Sequence, residues 1–167
     1  MPCEIFWIGP VFAGRLAVMT RPRGGDWLED EVDGLVREGV DVVACLLTKD
    51  ELRDMQLEQE EFVCTSRGIE FVHFPVRDHS VPEPGRRSTG FIRSIAEHLR
   101  LGKAVAAHCW MGIGRSVLTA ASVMALAGVP PEEAFARIGR ARGLDVPDTE
   151  EQREWVQRFA RENAPER

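Results

Sequence analysis

The run His108-Cys109-Trp110-Met111-Gly112-Ile113-Gly114-Arg115-Ser116 combines a thiol, two glycines, a guanidinium and a hydroxyl within nine residues. The apolar run over 103–108 before it predicts a strand, and the sequence from Arg115 to Ala127 predicts a helix. Between them the glycines let the backbone curl so that successive N–H groups point inward. Such a nest, backed by a helix N-terminus, binds an oxyanion. Arg115 at the helix start adds a planar fork that matches two phosphate oxygens. Trp110, Met111, Gly112, Ile113, Gly114 and Arg115 are therefore expected to line the substrate phosphate. Cys109 lies at the base of the nest, where the same positive field lowers a thiol pKa and favours the thiolate. A thiolate beneath a tetrahedral phosphate is placed for in-line attack. The Ser116 hydroxyl can hydrogen-bond the sulfur and ease its departure afterwards. With all residue types equally common, the pattern H-C-x-x-G-x-x-R-S arises by chance in a chain of this length at a frequency of roughly 10⁻⁴ or below. A merely structural cysteine needs neither the glycines nor the arginine.

Attack at phosphorus needs an acid for the leaving group. The segment Pro75-Val76-Arg77-Asp78-His79-Ser80-Val81-Pro82 follows an expected strand and should emerge at the same end of the sheet. Asp78 is the expected general acid, and then the base for the hydrolytic water. His79 is a second proton carrier or an exposed loop side chain. Asp145 and Asp148 are rival acids, Asp148 reading better as a residue of a turn before the Thr149 helix cap. His108 either tunes the thiolate through the loop or makes a structural hydrogen bond. Arg77, Arg86, Arg87, Arg140 and Arg142 ring the pocket or form solvated surface. Glu51 reads as a helix-capping residue.

At these residues the chain resembles the protein tyrosine phosphatase superfamily, in its small dual-specificity branch. The H-C-x-x-G-x-x-R-S match is complete, and residues 75–82 look like that branch's general-acid loop. Residues 46–52 and 112–116 are similar to phosphatases related to the cyclin-dependent kinase-associated phosphatase. The resemblance implies a metal-free, cofactor-free reaction in two steps through a phosphocysteine. It implies Cys109 as nucleophile, Arg115 as phosphate binder and Asp78 as acid. Residues 146–152 resemble a later loop whose Gln positions the hydrolytic water, which points to Gln152. The chain holds no Tyr and no long N-terminal region with an aromatic clamp, so a deep phosphotyrosine-selective pocket is not expected. Phosphotyrosine, phosphoserine or phosphothreonine, phosphoinositides and small phosphate esters stay open as substrates. Two other classes compete: a phosphate-binding module without turnover, and another oxyanion reaction on the same loop, such as sulfur transfer or arsenate reduction. The retained Cys109, Arg115 and Asp78 speak against the first. Asp78 speaks against sulfur transfer, and the mid-chain position of the loop against the low-molecular-weight phosphatase and reductase families.

Elements must hold these residues in place. Strands are expected over 4–8, 16–19, 40–47, 69–74 and 103–108. Helices are expected from an Asp26 cap to Glu38, from Thr48 with Glu51 as a capping box, over 58–66, from a Ser88 cap to Gly102, after Gly114, from Pro130 to near Gly143, and over 150–162 from Thr149. Strands alternating with helices predict an α/β fold with a central, mostly parallel sheet covered by helices on both faces. Trp27, Trp155 and Phe159 are expected in its core.

The 167 residues suit a single catalytic domain over 1–167, and 44% apolar residues suit a packed core. A formal charge of -6 argues against nucleic-acid binding. No apolar run is long enough for a membrane span, and no signal peptide is expected. Cys3, Cys45, Cys64 and Cys109 form no C-x-x-C pair and no zinc pattern. A reducing, cytoplasmic compartment is the simplest expectation. Cys64 is a partly buried thiol or an oxidative partner for Cys109. The expected partner is a phosphorylated protein or small phosphate ester, with oligomeric state left open.

Overall fold

The computed structural model describes residues 2–166. Five strands form one sheet in the order β1-β2-β5-β3-β4. β1 (Ile5–Val11) and β2 (Gly14–Met19) are an antiparallel hairpin whose register shifts between Trp7 and Gly9. β2 then runs parallel to β5 (Ala104–His108), β5 to β3 (Val42–Cys45), and β3 to β4 (Glu70–His73). All residues of β3 and β5 are buried, which is why their sequences are continuous apolar runs rather than alternating ones.

Among the described residues seven α-helices cover the sheet: α1 (Leu28–Arg37), α2 (Lys49–Asp54), α3 (Glu60–Ser66), α4 (Arg86–Arg100), α5 (Arg115–Leu126), α6 (Pro131–Arg142) and α7 (Glu150–Glu162). The strands' alternation divides the core into two layers. Leu16, Val18, Val42, Ala44, Val105 and Ala107 face the layer that contains α4, α5, α6 and α7. Ala17, Met19, Val43, Cys45 and Ala106 face the layer of α1 and α3. α5 is buried along its whole length, which accounts for its lack of a polar face.

The expected architecture holds, with shifts at element ends. Of the strand expected over 40–47, Val42–Cys45 form β3; Leu46 still donates to the His108 carbonyl at 3.0 Å before Leu47 leads into α2. Asp26 does not cap a helix: it lies in a single 3-10 turn, Gly25–Trp27, before α1. Ser88 is not a cap either. α4 starts at Arg86 after Gly85, and the Ser88 hydroxyl donates back to the Gly85 carbonyl at 3.1 Å. Trp27 is 55% exposed rather than in the core. The Arg23 guanidinium lies over its ring, 4.3 Å from the centroid, so the indole finds its contact at the surface. Trp155 and Phe159 are buried as expected, with rings stacked at 5.5 Å.

Candidate active site

The C-terminal ends of β2, β3, β4 and β5 share one edge, the edge at which open α/β sheets gather ligands. The loop after β5 carries Cys109, the loop after β4 carries Asp78, and the start of α2 after β3 carries Glu51. The loop between α6 and α7 brings Asp148 alongside.

Cys109 is buried at the base of its loop. Burial alone pushes its thiol pKa up, yet the net shift is down. The Ser116 hydroxyl, the backbone N–H groups of Ser116 and Gly112, and the Arg115 charge outweigh desolvation. The sulfur lies 3.3 Å from the Ser116 oxygen. Gly112 has φ +74, and a Cβ there would sit 2.9 Å from the Met19 carbonyl oxygen. Both the turn and the close pass of β2 therefore require glycine. Gly114 fits for a different reason: a Cβ would press on the side chains of Gln152 and Asp148, at 2.9 and 3.3 Å. Trp110 and Met111 are 44% and 51% exposed and form the lip of the loop. Their carbonyls are held from outside, by the Arg21 backbone N–H at 3.2 Å and the Arg142 guanidinium at 2.9 Å.

Arg115 is 2% exposed and almost fully engaged. It donates from Nη1 to Glu51 Oε1 at 2.7 Å and from Nη2 to Glu51 Oε2 at 2.9 Å. It also donates to the Val76 carbonyl at 2.7 Å and to Asp78 Oδ1 at 3.1 Å. These contacts fix the plane of the fork. Sequence reasoning read Glu51 only as a cap. It is one, since Thr48 N–H donates to its Oε1 at 3.2 Å, but the same carboxylate orients Arg115 from 64 residues away. Burial opposes ionisation of Glu51, and the bonds from Arg115 and Thr48 prevail to hold its pKa below the ordinary value.

Asp78 thus lies at the same end of the sheet as the cysteine loop and accepts from Arg115. His79, at φ 59, donates its backbone N–H to Asp78 Oδ1 at 3.0 Å, and its Nδ1 lies 2.7 Å from Asp148 Oδ2. Asp148 is therefore more than a turn residue: with His79 it ties the Asp78 loop to the loop before α7. Asp145 makes no contact with these groups and lines a separate cavity with Arg140 and Arg153. Gln152 is buried, completes the α7 capping box with Thr149, and donates to the Ser80 carbonyl at 3.4 Å. Of the five arginines considered, Arg142 reaches the phosphate loop, while Arg77, Arg86, Arg87 and Arg140 are exposed. Cys64 is fully buried, in the layer opposite Cys109.

His108 makes a buried pair, its Nε2 2.6 Å from Glu60 Oε1. Cys45, Glu60 and His108 are the described residues whose donor atoms gather within 4.8 Å, as metal ligands do. Two of those atoms, His108 Nε2 and Glu60 Oε1, face each other at 2.6 Å. Glu60 gave no signal in the sequence beyond that of an acid in a first helical turn.

Comparison with known proteins bears on the fold and the family. A family model described as "Tc-R-P: Polymorphic toxin system, DSP-PTPase phosphatase" matches residues 17–129. No curated protein matches. Among solved structures, kinase-associated phosphatase with its catalytic cysteine replaced by serine superposes with a TM-score of 0.85 at 19% identity, covering 97% of this chain and 96% of its own. Tk-PTP in its active form gives 0.78 at 27% identity, covering 95% and 97%. PTPMT1 gives 0.71 at 21% identity, covering 95% of each. The family match spans both the Asp78 loop and the cysteine loop. The chain accordingly belongs to the DSP-PTPase phosphatases, cysteine-dependent enzymes that hydrolyse phosphate monoesters through a phosphocysteine.

Proposed function

We propose that Cys109 is the nucleophile of this phosphatase, Arg115 the phosphate binder and Asp78 the general acid. The observation that carries this reading is the convergence on one sulfur of the Ser116 hydroxyl and the Ser116 and Gly112 N–H groups, beside a guanidinium bonded to Asp78. An incoming phosphate takes the loop N–H groups and the outer edge of the Arg115 fork, and so frees Asp78. The sulfur attacks phosphorus, an S–P bond forms and the P–O bond to the leaving group breaks. Asp78 gives its proton to the departing oxygen. Asp78, now a carboxylate, takes a proton from water as that water attacks phosphorus. The S–P bond breaks, inorganic phosphate leaves, and Ser116 donates to the returning thiolate. Gln152 beside Gly114 supports placement of the water. Trp110, Met111, Gly112, Ile113 and Gly114 line the phosphate and its lip.

The open mouth, with Asp78 46% exposed, suits phosphotyrosine and phosphoserine or phosphothreonine on a protein, as well as small phosphate esters. Residues 1–167 act as one catalytic domain, since both core layers pack on one sheet. No described helix is long and apolar enough to cross a membrane, and the described cysteines are all free. A reducing, cytoplasmic setting suits four such thiols. The description of the matching family supports use in a polymorphic toxin system.

Hydrolysis of an aryl phosphate tests the roles. Cys109→Ser should abolish turnover while phosphate still binds. Asp78→Ala should slow esters of basic alcohols strongly and those of acidic phenols little, because only the former need a proton on leaving. Normal turnover by Cys109→Ser would refute the assignment.

A further inference from the structure

Three consecutive carbonyls of the cysteine loop each have a donor outside it. Cys109 C=O faces His108 Nδ1 at 3.2 Å, Trp110 C=O the Arg21 N–H, and Met111 C=O the Arg142 guanidinium. A trans peptide points its C=O and N–H in opposite directions. These contacts therefore turn the next three N–H groups, of Trp110, Met111 and Gly112, to the other side. The Gly112 N–H is indeed among the groups that hold the Cys109 thiol pKa down. Of the three donors, only His108 is a side chain whose ordinary pKa is near neutrality.

His108 ends β5 opposite Cys45 of β3 and Met19 of β2, in the layer away from the Cys109 sulfur. Glu60, in the first turn of α3, meets it there. Both ring nitrogens face oxygens, that of the Cys109 carbonyl, which can only accept, and that of the Glu60 carboxyl, so with Glu60 ionised each nitrogen carries a proton. Glu60 is wholly buried, and no described group bonds its Oε2. Burying a carboxylate is costly, so packing alone does not explain an acid at this position.

We propose that Glu60 is a positioning residue for the phosphate loop: it keeps His108 doubly protonated, so that Nδ1 holds the Cys109 carbonyl outward and the loop N–H groups converge on sulfur and phosphate. The proposal rests on Cys109 being the nucleophile. Burial pushes the His108 pKa down, but the Glu60 carboxylate overrides it and the net shift is well upward. The other ionisable groups on this side of the sheet are Glu31, which accepts from Arg23 and the Cys3 N–H, Arg67 on the Asp33 carboxylate, His73, whose Nε2 lies 2.6 Å from the Leu47 carbonyl oxygen, and three thiols. Burial raises Cys45 and pushes Cys64 and Cys3 up to about 12, so the thiols stay neutral, and Glu60 is the carboxylate in contact with His108.

The pH dependence of Cys109 alkylation by iodoacetamide, followed with aryl phosphate turnover, tests this. Glu60→Gln should raise the apparent thiol pKa by about 1 pH unit and lower kcat/KM below it about tenfold. His108→Gln should do the same, and the double variant should add nothing further. Glu60→Asp, which keeps the charge, should retain most of the wild-type titration and remains informative if Glu60→Gln does not fold. A wild-type titration in Glu60→Gln or His108→Gln, or equal loss in Glu60→Asp, would overturn the proposal. If alkylation of Cys109 abolishes turnover but the variants titrate normally, only the role of Glu60 fails. If alkylated protein stays active, the nucleophile assignment fails instead.

Discussion

Glu51→Gln separates the two jobs of one carboxylate. The amide oxygen can still accept from Thr48 N–H, and Gln at this position keeps a capping box, so α2 should persist. The second oxygen, which now takes Arg115 Nη2 at 2.9 Å, becomes an NH2 group facing another donor. Arg115 is buried, so water does not readily replace the lost acceptor. Losing one charge-assisted hydrogen bond of this kind costs about 2 kcal/mol. If that appears in binding of the transferring phosphoryl group, kcat/KM falls about 30-fold. The assay is aryl phosphate hydrolysis, with inorganic phosphate as competitive inhibitor and thermal melting as the control for folding. The expected result is a matching loss in kcat/KM and in phosphate affinity, with a modest fall in melting at pH 7 from the lost Arg115 pairing. A kcat/KM within about twofold of wild type, a difference of about 0.4 kcal/mol, would refute the idea that Glu51 orients the fork. A large fall in melting without loss of phosphate binding would place its main role in the fold.

Two further outcomes follow from the same geometry. Gly112→Ala should displace the loop from β2, because its Cβ would meet the Met19 carbonyl, and should lower activity while raising the pH at which Cys109 alkylates. Gly68→Ala, at φ +80 with open space around the new Cβ, is the control: it should lower stability by about 1 kcal/mol and leave turnover unchanged. Acid should destabilise the fold through Glu31 and Glu51. Burial opposes their ionisation, but hydrogen bonds from Arg23 and Cys3, and from Arg115 and Thr48, hold both below the ordinary 4.5. A folded pKa below the unfolded one gives stability that is full above about pH 4.5 and lost as pH falls through the folded value. Melting between pH 7 and pH 3 should therefore drop, and drop less in Glu51→Gln; parallel profiles would contradict the pairing.

The chemistry at phosphorus was legible because its parts are contiguous. Cys109, Gly112, Gly114, Arg115 and Ser116 lie in one loop, and the strand and helix that flank it are strongly apolar. Asp78 was reachable by topology, since a loop following a parallel strand emerges at the same sheet edge. What the sequence hid are pairings across distance. Glu51 satisfies a local capping pattern, and that pattern masks its bond to Arg115. Glu60 looks like any acid favoured by a helix N-terminus, and only the docking of α3 beneath β5 buries it against His108. Trp27 carries the right type for a core but lies in a turn just before α1, where Arg23 stacks on it instead. Periodicity also overstates β3, because Leu46 and Leu47 stay apolar and buried past Cys45.

The central claim is a covalent bond between Cys109 and the phosphate of the substrate. Mixing enzyme with an aryl phosphate, quenching in acid within the first turnover and mapping the peptides by mass spectrometry tests it directly. Phosphate is expected on the peptide carrying Cys109 and absent from Cys109→Ser. Turnover with no adduct, or an adduct on His79 or His108 instead, would contradict it.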